Sequence, residues 1–332
     1  MGPPIAKEVP ASMSPASSRT PVLVGVGQVR QRAEDPMEAR EPLELMAEAA
    51  ERAAEDARAP EILSQLDSIR VPQGLWKYAN PPAWLAERFG CTGAETALGI
   101  VSGTTVLKML CDSAIDIQEG KRDAVLITGA ESEHSKRRAK AAGLEPRRTV
   151  QEGPPPDVPL PEMADFRDSP DIRAGLTNPT HCFGLFEVAM RAARGESVEA
   201  HRRRIAELWA EFAKVAATNP YAWIQDAPDA EQIASPTGGN RVVSTPYLKY
   251  MVSNMVVDQG SAVILCSAER ARALGIPEDQ WIHPWVGGLA DVGKSLSERE
   301  NFHEERTLRL VGERVFERSA VTPEELGPID LY

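Results

Sequence analysis

Apolar residues fall along this chain in two rhythms, short unbroken runs and longer stretches that repeat every three to four residues, and the two alternate from Pro21 to Thr128. The run Val22-Leu23-Val24-Gly25-Val26-Gly27 is rich in β-branched residues and glycine, which predicts a buried parallel strand and its exit turn. From Pro42 to Ala57 leucine, methionine and alanine return at helical spacing while glutamates face outward, so a helix is expected. Strand character comes back at Leu66 to Val71 and closes one strand-helix-strand unit. A short helix at Pro81 to Phe89, a strand at Thr96 to Val101, a helix from Gly103 to Gln118 and a buried strand at Ala124 to Thr128 follow on the same criteria. The fold class is therefore α/β.

The rhythm breaks after Glu131. Six cations stand between Lys136 and Arg148, and Pro154-Pro155-Pro156 is followed by Asp157, Glu162, Asp165 and Asp168. Residues 133–253 read as an excursion from the sheet, with an amphipathic helix over Val198 to Ala217 and a loop at Ser235-Pro236-Thr237-Gly238-Gly239-Asn240. Loops of this length commonly build substrate pockets. The sheet resumes at Ser261 to Cys266, followed by a helix through Ala273 and a strand-like run from Trp281 to Val286.

Pro60-Glu61-Ile62-Leu63-Ser64-Gln65-Leu66-Asp67 aligns without a gap to Pro323-Glu324-Glu325-Leu326-Gly327-Pro328-Ile329-Asp330, each just after an amphipathic helix. Val22 to Gly27 and Pro284 to Gly288 precede those helices at nearly the same distance, so a duplication is expected whose second copy stops after its second strand. The expected organisation is a disordered leader at 1–20, a first domain at 21–132 with 254–275, an inserted loop domain at 133–253, and the beginning of a second domain at 276–332.

Composition narrows the function classes. With 332 residues and 42% apolar content there is ample material for a core. A net charge of -12 argues against nucleic acid or a membrane surface as the main partner. The four cysteines, Cys91, Cys111, Cys182 and Cys266, are widely spaced without any CxxC pairing, which suggests a reduced, cytoplasmic setting and no metal site. Residues 1–20 lack an apolar h-region, and no transmembrane run follows them.

The candidate chemistry lies between Thr96 and Ser132. A strand ending in Ile100 and Val101 runs into the small-residue turn Ser102-Gly103-Thr104-Thr105, then a helix, then a strand ending at Glu131. A sharp turn and a helix start at a strand end are where α/β enzymes often put a nucleophile, and this turn holds no cysteine. Cys111 lies eight residues beyond Gly103, or ~12 Å along a helix at ~1.5 Å per residue, too far to replace it. Thr104 and Thr105 read as helix N-terminal residues, since a threonine hydroxyl needs an activating base and no histidine is near in sequence. On the residues alone, His181 is either a packed histidine or a pocket contact ahead of Phe183 and Phe186.

Taken in order, these segments resemble the thiolase superfamily over residues 21–332. Gly129-Ala130-Glu131-Ser132 is similar to the family's G-G-x-E-S, and at the family's spacing its C-G-S-G nucleophile turn falls on Gly103. His181-Cys182-Phe183-Gly184-Leu185-Phe186-Glu187 keeps the first and last residues of H-M-G-x-T-A-E, whose histidine lies beside coenzyme A. Ser253 to Ala262, containing Asn254, resembles G-N-A-S-G-x-N-D-G-A-A but is one residue shorter and lacks the serine facing the cofactor. The segments N-E-A-F, G-H-P and C-x-G of the family's second half have no counterpart here.

The resemblance implies a thiolase-like fold, an N-terminal βαβαβαββ half with an inserted loop domain and an incomplete second half, as in a truncated chain. It implies a member of the acetyl-CoA acetyltransferase family that takes coenzyme A or acyl-CoA as substrate, with no permanently bound cofactor. Ser102, Gly103, Thr104, His181, Cys182 and Asn254 would contact it, and no residue stands as the catalytic nucleophile. Little or no thiolysis or condensation is therefore expected. The alternative is a non-catalytic subunit or scaffold working with a small acyl-CoA-binding partner, or as a homo-oligomer. A third expectation, an active enzyme with an unrecognised nucleophile, would require Cys182. The cluster Lys136, Arg137, Arg138, Lys140, Arg147 and Arg148 reads as a solvated flap, with binding of coenzyme A phosphates as the alternative.

Overall fold

The computed structural model describes residues 17–160, 169–290 and 295–330. The chain forms two compact units, residues 1–161 with 258–284 and residues 162–257 with 285–332. In the first unit the elements are β1 (Pro21–Arg30), α1 (Pro42–Asp56), β2 (Ser68–Pro72), α2 (Pro81–Phe89), β3 (Glu95–Gly99), α3 (Thr105–Gln118), β4 (Ala124–Ser132) and α4 (Glu133–Ala141). The second unit contributes α5 (Pro170–Arg173), α6 (Pro179–Ala193), α7 (Val198–Thr218), α8 (Ala230–Ala234) and a hairpin of β5 (Val242–Ser244) and β6 (Tyr247–Leu248). The chain then returns to the first unit with β7 (Asp258–Ser267) and α9 (Ala268–Ala273), and α10 (Arg306–Ser319) lies in the second.

The first unit is a mixed five-stranded sheet in the order β1-β7-β4-β2-β3. Strands β2, β3 and β4 run parallel, while β7 is antiparallel to both β1 and β4. Alternation along β4 divides the core: Ala124 and Leu126 join the cluster built on α1, whereas Val125 and Ile127 join Met109 and Ile117 of α3. Helices α1 and α3 thus cover opposite faces. The first strand differs from its expected form. It is antiparallel to its neighbour and continues to Arg30, so Gly25 and Gly27 lie within the strand and form no exit turn. Their role is close approach, because a Cβ at either would stand 2.0 Å from the carbonyl oxygen of Ala53 or Ala49 on α1.

Each edge of the sheet meets a single bridging residue. Leu23 exchanges backbone hydrogen bonds with Ile282 at 2.8 and 3.0 Å, which is all that forms of the expected strand from Trp281 to Val286. On the other edge Leu98 donates to Val158 at 3.0 Å and Val158 donates to Thr96 at 2.9 Å. Asp157 pins this contact by accepting from both the backbone N–H and the hydroxyl of Thr96, each at 2.9 Å.

Residues 133–160 belong to the first unit, although the sequence suggested that the excursion begins at 133. The reason is burial at the root of α4, where the carboxylate of Asp258 accepts from the Ser135 N–H at 3.1 Å and from its hydroxyl. Residues 17–20, expected in the leader, are also anchored, with Arg19 paired to Asp123 and donating to the Ile117 carbonyl at 2.9 Å. The remainder of the leader, residues 1–16, lies outside the described residues, as do Glu162, Asp165 and Asp168.

The second unit packs Ile205, Ala206 and Ala210 of α7 against Ile233, Leu248 and Met251. His201, fully buried on α7, has Nδ1 2.6 Å from Glu196 and Nε2 3.0 Å from Glu187 of α6. Tyr247 donates to the second oxygen of Glu187 at 2.8 Å, so this family-matching glutamate joins α6, α7 and the hairpin. The repeat shows a partial structural echo. Both aligned octapeptides begin a 3-10 turn just after a helix, and a Cβ at Gly288 would meet Val311 and Val315 of α10 at 2.8 and 3.0 Å. No strand forms at 284–288 or 329–330.

Candidate functional site

Because β2, β3 and β4 are parallel, their carboxyl ends emerge on one side of the sheet, the side where α/β folds place ligands. The turn Ser102 to Thr104 stands at the end of β3 and is exposed. Its hydroxyls are spent locally: Ser102 Oγ and Thr104 Oγ1 lie 3.1 Å apart, and Ser102 Oγ accepts from the Thr104 N–H at 3.3 Å. Thr105 is buried and donates its hydroxyl to the Ile100 carbonyl at 2.9 Å. Thr104 and Thr105 stand at the start of α3 as expected, with no side-chain capping hydrogen bond to the helix. Among the described residues no histidine or carboxylate hydrogen-bonds to Ser102 or Thr104, so neither hydroxyl has a base. Cys111 is half-buried on α3, and burial with the nearby Asp112 pushes its thiol up.

At the carboxyl ends of β2 and β4 there is a cavity of about 380 Å³. The chain leaving β2 crosses it: Leu75 donates its N–H to Glu131 Oε1 at 2.7 Å, and the Trp76 indole donates to the Ala130 carbonyl at 3.1 Å. Burial holds the Glu131 carboxyl above the usual carboxylate range, opposed by the Leu75 N–H, which favours the charged form. Lys136, Lys140, Arg147 and Arg148 of the basic cluster line this cavity with Lys77. The cluster is no free flap. Four of its six cations sit on α4, and the following loop is tied down by the Thr149 N–H on Glu41 at 2.7 Å and by Arg148 on the Lys77 carbonyl at 2.8 Å.

In the second unit His181 and Cys182 occupy the first turn of α6, which Asn178 caps by accepting from the Thr180 N–H at 3.0 Å. His181 is exposed and Cys182 half-buried. Burial, with Asp171 adding to it, pushes the Cys182 thiol up and so away from the thiolate a nucleophile requires. Asn254 is half-buried in a turn of its own, accepting from the Val256 N–H at 3.2 Å. It lines a cavity of about 840 Å³ together with Trp209, Phe212, Ile224 and Tyr250, and neither His181 nor Cys182 forms part of that wall.

The structure thus brings Ser102 and Thr104 together, and separately His181 and Cys182, with Asn254 on its own cavity. Periodicity does not single out Trp76, Tyr78, Trp209 or Tyr250. The available signals were the interleaved run Leu75-Trp76-Lys77-Tyr78 just past a strand and two aromatics one turn apart on the solvent side of α7. Among the described residues no group of three or more His, Cys, Asp or Glu is placed to hold a metal, and no helix is long and apolar enough to cross a membrane.

No family model matches the chain, and no curated protein matches it in sequence. Solved structures do. A monomeric SCP2-thiolase-like protein type 1 from Mycobacterium smegmatis is 27% identical, with a TM-score of 0.72 over 96% of this chain. The chain spans 61% of that relative's length. An Ltp2-ChsH2(DUF35) aldolase is 18% identical with a TM-score of 0.69, covering 93% of this chain and 72% of that one. The dimeric peroxisomal thiolase of Saccharomyces cerevisiae is 13% identical with a TM-score of 0.51, covering 79% and 68%.

Proposed function

This chain is a member of the thiolase-like superfamily, and on that premise we propose that it binds acyl-CoA without carrying the acyl group covalently, with little or no thiolytic or condensing activity. The observation that carries the proposal is the turn at the end of β3. Thiolysis needs a thiolate to attack the acyl carbonyl carbon and expel the coenzyme A thiolate, a base to generate that nucleophile, and N–H donors for the oxyanion. Position 103 is glycine, the flanking hydroxyls bond to one another and to the backbone, and the Cys111 and Cys182 thiols are shifted toward their protonated forms.

The aromatic cavity of the second unit supports binding without reaction. At about 840 Å³, with Trp209, Phe212 and Tyr250 in its wall and Asn254 at its rim, it suits an apolar acyl or pantetheine arm. The setting is cytoplasmic lipid metabolism, in keeping with four unpaired thiols. Calorimetric titration with acetyl-CoA and a long-chain acyl-CoA should show binding, while intact mass shows no acyl adduct and free coenzyme A does not accumulate. An acyl adduct or steady coenzyme A release ends the proposal.

A second reading, a subunit serving a small acyl-CoA-binding partner, is favoured by a specific pair of observations. One relative was solved as an Ltp2-ChsH2(DUF35) aldolase, and α3 leaves Val106, Leu107 and Ile115 exposed. Failure to bind acyl-CoA alone, together with co-purification of such a partner, would select it.

A further inference from the structure

We propose that the cleft at the carboxyl ends of β2 and β4 is a binding site for a nucleoside diphosphate. Its wall carries five cations against three carboxylates in a protein whose net charge is -12, so the cationic excess is local. Three of the cations are already engaged, Lys136 with Glu133 at 2.8 Å, Arg148 with the Lys77 carbonyl at 2.8 Å and Arg147 with Glu44 at 3.9 Å. The ammonium groups of Lys77 and Lys140 have no hydrogen-bond or ion-pair partner among the described residues, and both line the cleft. Phosphate oxygens are the acceptors that such donors take, because the bond is charge-assisted and the ligand's charge persists at neutral pH.

The rings choose the rest of the ligand. Trp76 and Tyr78 line the same cleft with centroids 5.3 Å apart and planes tilted by 36°. Their polar atoms are already committed, the indole N–H to Ala130 at 3.1 Å and the phenol to Glu41 at 2.7 Å. Tyr78 is buried against the half-buried Trp76, so the carbon surface that remains for a flat ring is that of the indole. A volume of about 380 Å³ lies at the small end of ligand sites and suits a single nucleotide. The cleft is also rigid, since Asp258 holds the root of α4 and Glu41 holds the loop after it, so little ordering cost attends binding.

The diphosphate has two sources, a free nucleotide or the nucleotide end of coenzyme A, and the site does not depend on the acyl-CoA reading. Titrating the full chain with ADP at low ionic strength, followed by calorimetry, should show saturable binding that weakens with added salt. The double variant Lys77→Gln, Lys140→Gln, whose side chains are exposed, should keep its melting temperature and bind ADP at least tenfold more weakly. Removing two cations elsewhere in the same unit, Lys108→Gln with Lys121→Gln, should leave ADP affinity within twofold. Displacement of ADP by coenzyme A but not by pantetheine identifies the coenzyme as the source; ADP binding indifferent to coenzyme A identifies a free nucleotide. Either result supports the site. Absence of ADP binding, an unchanged affinity in the cleft variant, or an equal loss in the Lys108 and Lys121 control would overturn it, and acyl-CoA binding that persists in that case leaves the earlier proposal standing.

Discussion

The cavity at the strand ends of the first unit and the cavity beside α7 in the second are built in opposite ways. In the first unit the walls are the ends of parallel strands and a helix whose root is fixed by a buried carboxylate, and the lining is cationic. In the second unit the walls are the flank of α7, part of α8 and the loops around them, and Trp209, Phe212 and Tyr250 line it. A charged ligand group needs donors held at fixed positions, because its energy falls steeply with misplacement, whereas an apolar chain needs only area removed from water. On the proposed readings, the sheet-built unit would take the polar part of a ligand and the helical one the apolar part.

The largest effect expected is on rigidity. Gly25→Ala places a Cβ 2.0 Å from the Ala53 carbonyl oxygen and should cost about 3 kcal/mol, seen as a lower melting temperature. Gly184→Ala in α6 meets the Thr245 carbonyl oxygen at 2.8 Å, but the hairpin can yield and alanine favours the helix, so a loss of about 1 kcal/mol is expected. Equal losses at the two sites would remove the contrast in rigidity. Next, Trp209→Ala with Phe212→Ala should weaken long-chain acyl-CoA about tenfold, in line with about 1.4 kcal/mol per decade. ADP affinity should not move, and a parallel drop in both would show the two cavities to be coupled.

A smaller effect is expected at Glu131. Its folded-state pKa is raised by burial, so between the ordinary carboxylate value of 4.5 and that higher value the folded state holds a proton the unfolded state has released. Stability contributed there is present at low pH and is lost as pH rises through this window. Glu131→Gln should therefore melt slightly higher than the parent at neutral pH, with the gap closing below the carboxylate range. A gap independent of pH would mean the carboxylate's charge is not what burial opposes. The smallest effect is the most diagnostic: Gly103→Cys should show no thiolysis, because among the described residues no histidine or carboxylate hydrogen-bonds to the turn as a base. Measurable coenzyme A-dependent cleavage of a 3-ketoacyl-CoA by that variant would reverse the reading of the turn.

Much of the fold was legible because the first unit is built on burial periodicity. The helix at Pro42–Asp56 and the strands flanking β3 fall close to where apolar spacing puts them. What was not legible depends on partners distant in sequence. Gly25 and Gly27 look like turn residues until α1 is laid against them, and the run at Trp281 to Val286 had strand composition but found only Leu23 to pair with. The basic cluster looked like a solvated flap because its anchors, Glu41 and Asp258, lie far away in the chain. The cation cluster and the aromatic run 75–78 were each visible, but nothing in the sequence places one beside the other.

By itself the sequence determined the α/β class, the order of elements through β4, and the absence of a thiol at position 103, since these rest on residue type and local spacing. Tertiary structure alone decided that β1 pairs antiparallel, that residues 133–160 stay with the sheet, and that Trp76, Tyr78, Lys77 and Lys140 share one cleft. The division has a physical cause. Periodicity encodes which face of an element is buried, while pairing direction and ligand geometry are set by contacts between segments whose separation along the chain carries no local signal.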